Sequence, residues 1–161
     1  MSGLDLAVIG NCTVASLLTG SGRHVWFCFP RLDADPLFHS LLGGRTPCRG
    51  FMGITLREQV DARKRYLDNT ALVETVLTVS AGGSIRVLDF CPRFRHYGRI
   101  LRPPMIVRRI EPFAGSPGTI VRIRPGFDYG SVPPSISVGS NHVRFIGKNT
   151  VLRLTTDMSL S

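Results

Sequence analysis

The strongest constraint on the fold is a two-residue alternation of side chains between residues 71 and 90. Within residues 71–79, every second side chain falls on the same face, so that Leu72 and Val76 share one face while Val73 and Leu77 share the other. This two-residue period is that of a β-strand. A Gly-rich turn at 81–84 and a returning strand at 85–90 complete a hairpin. Similar apolar runs, separated by Pro, Gly and Asn clusters, occur at 6–9, 12–18, 24–29, 54–61, 106–110, 119–124, 142–146 and 151–155. This spacing predicts an all-β antiparallel sandwich.

One stretch, residues 26–38, departs from this pattern. An aromatic run ends at Pro30 in a loop that carries Arg31 and Asp33. Asp35 and Pro36 are residue types favoured as the N-cap and first residue of a helix, and Gly43 and Gly44 would stop one. The sequence therefore predicts one short helix near residues 36–42 as an insertion in the sandwich.

The net charge of +9 comes almost wholly from arginine, since Lys64 and Lys148 are the only lysines. Many arginines alternate with apolar residues along candidate strands, which is typical of a solvated sheet face or of a face docked on an acidic domain. Dense basic patches occur only at 63–65 and 93–102. A basic nucleic-acid-binding domain is therefore kept as a minor alternative.

The cysteines and histidines predict no metal site and no cofactor. Cys12, Cys28, Cys48 and Cys91 contain no CxxC pair, and the four histidines show no paired spacing. We interpret the cysteines as reduced residues of a cytoplasmic protein, with a Cys12–Cys28 disulfide left open. No apolar run approaches the roughly 20 residues that span a bilayer, and the N-terminus lacks the pattern of a signal peptide.

Six blocks of sequence, in order, resemble the N-terminal part of glycoside hydrolase family 15, the glucoamylase- and trehalase-like enzymes. The first block combines LAVIGNC and ASLL with the run from Trp26 to Phe38. The others lie at 66–75, 86–93, 107–111, 124–130 and 152–157. Because they cover nearly the whole chain, they are far more specific together than any one of them alone.

The resemblance implies a β-sandwich that precedes a catalytic (α/α)6 barrel, in an inverting hydrolase of α-glucosides such as trehalose or malto-oligosaccharides. It implies that residues 1–161 form one N-terminal domain whose sandwich is not complete at Ser161, and that the two catalytic glutamates lie beyond this residue. The chain alone is therefore predicted to be inactive and to support and dock the barrel, in cis or in trans. Strand edges left exposed would be available for self-association.

Within the chain itself, the best candidates for a substrate rim or a domain interface are Trp26, Arg31 and Asp33. Trp26 could offer a sugar-stacking face, and Arg31 and Asp33 could bind hydroxyl groups or brace the interface. The alternative is that Trp26 belongs to the core and that the two charged residues form a local pair. A stand-alone carbohydrate-binding module is therefore an alternative function.

No pair of carboxylates stands out as a catalytic pair. Asp89 and Glu111 lie at predicted strand ends, where we expect each to pair with an arginine, and Asp128 is expected in a turn. These acidic residues are therefore predicted to serve the fold.

Overall fold

The computed structural model describes residues 5–43 and 47–160. In these residues the chain forms fifteen β-strands, every pairing is antiparallel, and the helical content is limited to two 3₁₀ turns, Ser40–Leu42 and Asp128–Gly130. The prediction of an all-β fold is confirmed. The strands are β1 (Ala7–Gly10), β2 (Ala15–Leu18), β3 (His24–Cys28), β4 (Pro36–Phe38), β5 (Phe51–Leu56), β6 (Gln59–Tyr66), β7 (Val73–Val79), β8 (Ser84–Phe90), β9 (Phe94–His96), β10 (Arg99–Leu101), β11 (Val107–Ala114), β12 (Thr119–Arg124), β13 (Ser135–Val138), β14 (His142–Ile146) and β15 (Val151–Thr155).

Two sheets pack face to face as a sandwich. The first has the order β1-β2-β3-β5-β12, with β4 also paired to β3, and the second has the order β11-β8-β7-β6. Apolar side chains from both sheets meet in two clusters, as expected where the inner faces of a sandwich interdigitate. The clusters contain Ile9, Leu18, Phe27, Phe38 and Val73 in one case, and Ile54, Leu77, Ile85 and Val87 in the other.

One side of the sandwich, which we call the open side, is formed by the outer edges of β11 and β12. These two strands end their respective sheets, and only residues 115–118 link them along the chain. A link this short spans at most about 18 Å, and stacked sheets lie about 10 Å apart. The outer edges of the two sheets therefore lie on the same side of the molecule, and no described strand pairs with either of them.

The first sheet's other edge, at β1, is bridged by a side chain from β6. The Tyr66 hydroxyl accepts a hydrogen bond from the Val8 N–H (2.7 Å) and donates one to the Val8 carbonyl oxygen (2.9 Å). Both backbone groups of Val8 are thereby occupied. The sandwich is consequently bridged on one side and unpaired on the other.

Two smaller sheets complete the described chain. The sheet β13-β14-β15 packs Phe145, together with Leu152 and Leu154, against the larger core cluster. The strands β9 and β10 form a hairpin whose strands pair only with each other among the described residues.

The predicted helix near 36–42 is wrong in type and extent. Residues Pro36–Phe38 form strand β4, because Phe27 and Cys28 of β3 pair with Phe38 and Pro36. Only the 3₁₀ turn Ser40–Leu42 follows, and its N-cap is His39. Gly43 is its C-cap, while Gly44 lies outside the described residues.

Candidate functional site

The loop after β3 holds the predicted site residues Arg31 and Asp33. Their side chains form a two-point ion pair, with Nε 2.9 Å from Oδ1 and Nη2 2.5 Å from Oδ2. The Ala34 N–H donates to the Arg31 carbonyl oxygen (3.2 Å), and the Phe29 N–H donates to the Asp35 carbonyl oxygen (3.4 Å). The pair is therefore local, and together with these backbone bonds it holds the loop in one shape.

The charges of this pair face solvent, because its side chains are 71% and 68% exposed. The hydrogen bond from Arg31 holds the pKa of Asp33 below its ordinary value, and the same bond raises the pKa of Arg31. Asp33 is thus a carboxylate at neutral pH, which cannot donate a proton as a general acid. The loop offers fixed hydrogen-bonding groups instead of acid–base chemistry.

Trp26 lies in β3, and its side chain is half-buried. It belongs to neither core cluster, so only part of its side chain is buried in the interior. Neither of the two grooves described below is lined by Trp26, Arg31 or Asp33. The role of the three predicted residues at a rim or an interface stays a prediction.

A buried polar network that the sequence did not reveal connects the two sheets. The Ser16 hydroxyl in β2 lies 2.8 Å from Nδ1 of His24 in β3, and Nε2 of His24 lies 3.3 Å from Oδ1 of Asp89 in β8. Arg108 in β11 donates to the same carboxylate from Nε (2.7 Å) and Nη2 (2.9 Å), and it also donates to the Gly22 carbonyl oxygen. The network therefore joins the first sheet to the second by polar contacts within the sandwich.

The charges of the network follow from its burial and its partners. Burial and then the charge of Arg108 lower the pKa of His24, against the opposing effect of Asp89. Burial alone would raise the pKa of Asp89, but the hydrogen bond from His24 and the charge of Arg108 outweigh it and lower that pKa. Because the ionised carboxylate can only accept, the neutral imidazole carries its proton on Nε2. Nδ1 then carries no proton, and the Ser16 hydroxyl beside it also lies 2.9 Å from the Trp26 carbonyl oxygen.

Serine, histidine and aspartate in contact are the groups of a nucleophilic hydrolase, but this geometry does not suit one. Ser16, His24 and Asp89 are each at most 1% exposed, so no substrate reaches the hydroxyl. The imidazole also presents Nδ1 to the serine and Nε2 to the aspartate, the reverse of a hydrolase triad. We interpret the network as a structural link between the sheets.

The prediction that Asp89 and Glu111 pair with arginines is confirmed. Asp89 is held by Arg108 as described above. Glu111 accepts hydrogen bonds from Nε (3.0 Å) and Nη2 (2.5 Å) of Arg86 and also contacts Arg109. Both carboxylates thus stabilise the pairing of β8 with β11.

His39 contacts three glycines that come from two segments far apart in the sequence. Its ring fills a space bounded by Gly50, Gly126 and Gly130, where an added Cβ would lie 2.7, 2.6 and 2.5 Å from ring atoms. Burial lowers the pKa of His39, and the charge of Arg49 acts in the same direction. A neutral ring in this space fixes the position of the loop that follows β12.

That loop contains the second 3₁₀ turn, where Asp128 and Tyr129 both adopt positive φ angles of 49° and 52°. The Ser131 hydroxyl lies 2.8 Å from the Asp128 carboxylate, which confirms Asp128 as a turn residue. Two adjacent non-glycine residues in the left-handed region cost free energy and persist only where the surroundings hold them. The packing around His39 supplies such surroundings.

The side chain of Asn11, which the sequence indicates only as a turn residue, makes four hydrogen bonds. Its Oδ1 accepts from the N–H groups of Thr13 (3.0 Å) and Val14 (3.2 Å). Its Nδ2 donates to the carbonyl oxygens of Pro92 (2.9 Å) and Pro103 (2.8 Å). Asn11 therefore ties the turn after β1 to both ends of the segment that carries the β9–β10 hairpin.

The described residues line at least two surface grooves. One, of about 480 Å³, lies at the base of the β9–β10 hairpin and is lined mainly by apolar residues, among them Leu72, Phe90 and Phe94. The other, of about 400 Å³, separates β12 from β13 and β14 and is lined by Ile123, Ile136 and Phe145 together with arginines. Both grooves are suited to apolar side chains of a partner.

The open side and the adjacent β13 expose apolar side chains on neighbouring strands. These side chains are between 39% and 64% exposed and belong to Ile110, Phe113, Ile120, Val121, Ile136 and Val138. On β13, Ile136 shares a sheet face with its cross-strand partner Phe145, yet only Phe145 is buried in the core. The apolar face of this sheet thus extends beyond the core that covers it.

No group of three or more His, Cys, Asp or Glu side chains in residues 5–43 and 47–160 is placed to hold a metal ion. All four cysteines are free, so Cys12 and Cys28 do not form the disulfide that the sequence left open. No helix in the described part of the chain is long and apolar enough to cross a bilayer.

Fold and site together define an antiparallel β-sandwich domain with a polar network linking its two sheets. A model of the family described as "Trehalase-like, N-terminal" matches residues 4–157. The chain belongs to this family of trehalase-like N-terminal domains, which confirms the resemblance noted in its sequence. No curated protein and no solved structure matches the chain.

Proposed function

We propose that this chain is the non-catalytic N-terminal domain of an α-glucoside hydrolase of glycoside hydrolase family 15, and that it supports and docks the catalytic (α/α)6 barrel. The barrel, in the same polypeptide or as a separate chain, supplies the two glutamates of the inverting reaction. It also binds the substrate, an α-glucoside such as trehalose or a malto-oligosaccharide. The enzyme acts in the cytoplasm. The family match supports this proposal.

The observation that carries the docking role is the apolar surface of the open side and β13. Half-exposed Ile, Val and Phe side chains concentrated on these strands are typical of an interface with another protein. The unpaired edges of β11 and β12 add backbone donors and acceptors to the same surface. A partner domain that covers this surface would bury the apolar groups and stabilise both domains.

The Arg31–Asp33 loop has a supporting role in this proposal. Its ion pair is exposed and its backbone is fixed by two hydrogen bonds, so it presents its polar groups without further ordering. A barrel that packs beside β3 could be braced by this loop at the rim of its active site. Trp26 would then lie at the border of the same contact.

The docking role is tested with two separately purified proteins, this chain and the barrel of a trehalase-like glycosidase from the same genome. Hydrolysis of trehalose and maltose is measured for the chain, the barrel and their mixture, together with the thermal unfolding of the barrel. We expect no turnover by the chain and a higher barrel Tm in the mixture, because a ligand that binds only the folded state raises its stability. Turnover by the chain alone would contradict the proposal, and so would a barrel Tm that does not change when the chain is added.

A carbohydrate-binding module is the second candidate, and the partial exposure of Trp26 favours it. Trp26 is the only tryptophan, so its emission reports directly on its surroundings. A malto-oligosaccharide that stacks on the indole ring should change this emission saturably at millimolar concentration. An unchanged spectrum would remove this candidate.

A further inference from the structure

The β9–β10 hairpin and its flanking prolines, residues 92–103, form a projecting arm. Its two strands pair only with each other among the described residues. All residues of β9 and β10 are exposed, and so is Tyr97 in the turn between them. A two-stranded ribbon without further packing is marginally stable in water, so something else must define its position.

The root of the arm is held by a buried side chain. The Nδ2 group of Asn11 donates to the carbonyl oxygens of Pro92 and Pro103, which lie at the two ends of the arm. Asn11 itself is 2% exposed, and its Oδ1 is fixed by the turn after β1. The arm therefore projects from a fixed root in a defined direction.

The tip of the arm presents one aromatic ring to solvent. Tyr97 and Gly98 have φ angles of 48° and 71°, the combination of a two-residue hairpin turn in which asparagine and glycine are the favoured residues. Tyrosine in this conformation costs free energy that an asparagine would largely avoid. The ring is 91% exposed and contacts the His96 ring at a centroid distance of 4.1 Å. The turn thus holds a large aromatic group almost wholly in solvent.

Both faces of the ribbon carry apolar and basic groups together. Cross-strand pairing places Arg95 beside Ile100 on one face, and Phe94 beside Leu101 on the other, where Arg99 also lies. None of the four arginines of the arm forms an ion pair with a described residue, and residues 90–110 contain no Asp or Glu. A binding surface that covers the apolar groups and pairs with the arginines on both faces would have to surround the arm and supply carboxylates.

We propose that the arm is the recognition element of the docking described above, and that it inserts into an acidic cleft of the catalytic barrel. Arg95 and Arg99 pair with carboxylates on the two walls of the cleft, and Tyr97 fills an apolar recess at its end. Tyrosine and arginine are the residues most often responsible for binding energy at protein interfaces. This inference rests on the proposed function, because the partner is the same barrel.

Two other occupants fit the arm less well. A nucleic acid would pair with the arginines but would leave Phe94, Ile100 and Leu101 in water. A second copy of this chain carries the same net charge of +9, and like charges oppose association. An acidic protein surface with an apolar recess satisfies both kinds of group.

The test measures the Kd of the full chain for the same purified barrel by calorimetry. The first variant is R95E/R99E. Its matched control is R144E/R153E, which reverses two exposed arginines that are cross-strand partners on β14 and β15. Both double variants lower the net charge from +9 to +5, so a difference between them reports the position of the charges. Circular dichroism verifies that each variant is folded.

The second variant, Tyr97→Asn, removes the ring while giving the turn its favoured residue. It separates binding from folding, because the turn should become more stable while binding weakens. We expect about a hundredfold loss of affinity for R95E/R99E, about tenfold for Tyr97→Asn, and less than about threefold for R144E/R153E. Higher salt should weaken binding of the parent chain and of the control more than that of R95E/R99E.

The possible outcomes distinguish the role of the arm from the docking function of the whole domain. Parent chain and arm variants that bind the barrel equally well would overturn the arm's role and leave the docking function standing. A parent chain that does not bind the barrel would overturn both. Retention of the parent chain on duplex DNA at physiological salt, lost in R95E/R99E and without barrel binding, would also overturn both and assign the arm to nucleic acid.

Discussion

The packing of His39 shows how one side chain can dictate residue types at distant positions. Its ring occupies the volume that side chains at 50, 126 and 130 would need. Gly50 and Gly130 also have φ angles of 77° and 89°, where a side chain would add backbone strain. Gly126 has no such angle, so only the contact with His39 and the nearby backbone restricts it. It is therefore the position at which the steric effect can be measured alone.

We predict that Gly126→Ala destabilises the domain by about 1–3 kcal/mol, the usual cost of forcing an extra group into a packed region. The new Cβ would lie 2.6 Å from Nε2 of His39 and 3.1 Å from the Gly130 Cα. Gly118→Ala is the matched control, because an added Cβ there meets nothing within 4 Å. Urea denaturation should show a lower midpoint for the first variant only. Equal urea midpoints for the two variants would mean that the His39 ring moves aside without lowering the free energy of unfolding.

At the scale of elements, the two outer edges of the first sheet differ in their protection. On β1, the backbone groups of Val8 are occupied by the Tyr66 hydroxyl. On β12, no described strand pairs with the outer edge, and Ile120 and Val121 are partly exposed. An unpaired apolar edge strand is a template for pairing with another chain. In the absence of a partner domain, β12 is thus the strand through which copies of this chain would associate.

We predict weak self-association that increases with salt and that Val121→Lys abolishes. The charge of +9 opposes association at low ionic strength, and salt screens this repulsion. A lysine on the edge strand adds a charge that pairing would bury. Val8→Lys is the control on the bridged edge, where Val8 is similarly exposed. Sedimentation velocity over a range of concentrations at about 50 and about 500 mM salt tests this, and a monomeric parent chain at every concentration would refute it.

The elements that the sequence predicted well are those whose signals are local. The alternation of apolar residues located β7 and β8, and the runs at 119–124, 142–146 and 151–155 coincide with β12, β14 and β15. The run at 54–61 was predicted as one strand, but Arg57 and Glu58 turn the chain between β5 and β6, with a φ of 55° at Glu58. Nothing in these two residue types indicates a turn.

Long-range partners explain what the sequence could not reveal about the site. The Arg31–Asp33 pair spans two residues, so it could be anticipated as a local alternative. His24 reaches Asp89 across 65 positions, and Asn11 reaches Pro103 across 92. A buried histidine and a turn asparagine have no distinctive neighbours in the sequence. Their roles therefore become visible only when the sheets are packed together.

At the scale of the whole molecule, the Ser16–His24–Asp89–Arg108 network makes the packing of the two sheets depend on protonation. The folded domain holds a neutral imidazole at His24, whose pKa burial and Arg108 lower. Protonation would place a second cation beside Arg108 within the sandwich, where charges are poorly solvated. The unfolded chain carries no such constraint and binds the proton at its ordinary pKa of 6.5. Acid should therefore favour unfolding by way of this network.

The sign of the effect follows from proton linkage. Below pH 6.5 the unfolded state binds a proton at His24 that the folded state does not, so the free energy of unfolding falls as pH decreases, by at most about 1.4 kcal/mol per pH unit for one proton. Above pH 6.5 this contribution is present in full. His39, whose pKa is also lowered, changes the stability in the same window, whereas the stabilisation from Asp89 is present in full above its ordinary pKa of 3.8 and is lost only below that value. The interval between pH 7 and 5 therefore reports the two histidines.

We predict that His24→Gln reduces the pH dependence of the free energy of unfolding between pH 7 and 5, while the contribution of His39 is retained. Urea denaturation at several pH values gives the two slopes. The NMR shift of the His24 ring protons in the parent chain provides a readout that does not depend on the variant, and we expect it to titrate below pH 6.5. Glutamine keeps an amide that can donate to Asp89, so the variant removes the titrating group while leaving a donor for the carboxylate. Equal slopes in the two proteins, together with a His24 ring that titrates at or above pH 6.5, would show that the network is not the acid-sensitive link between the sheets.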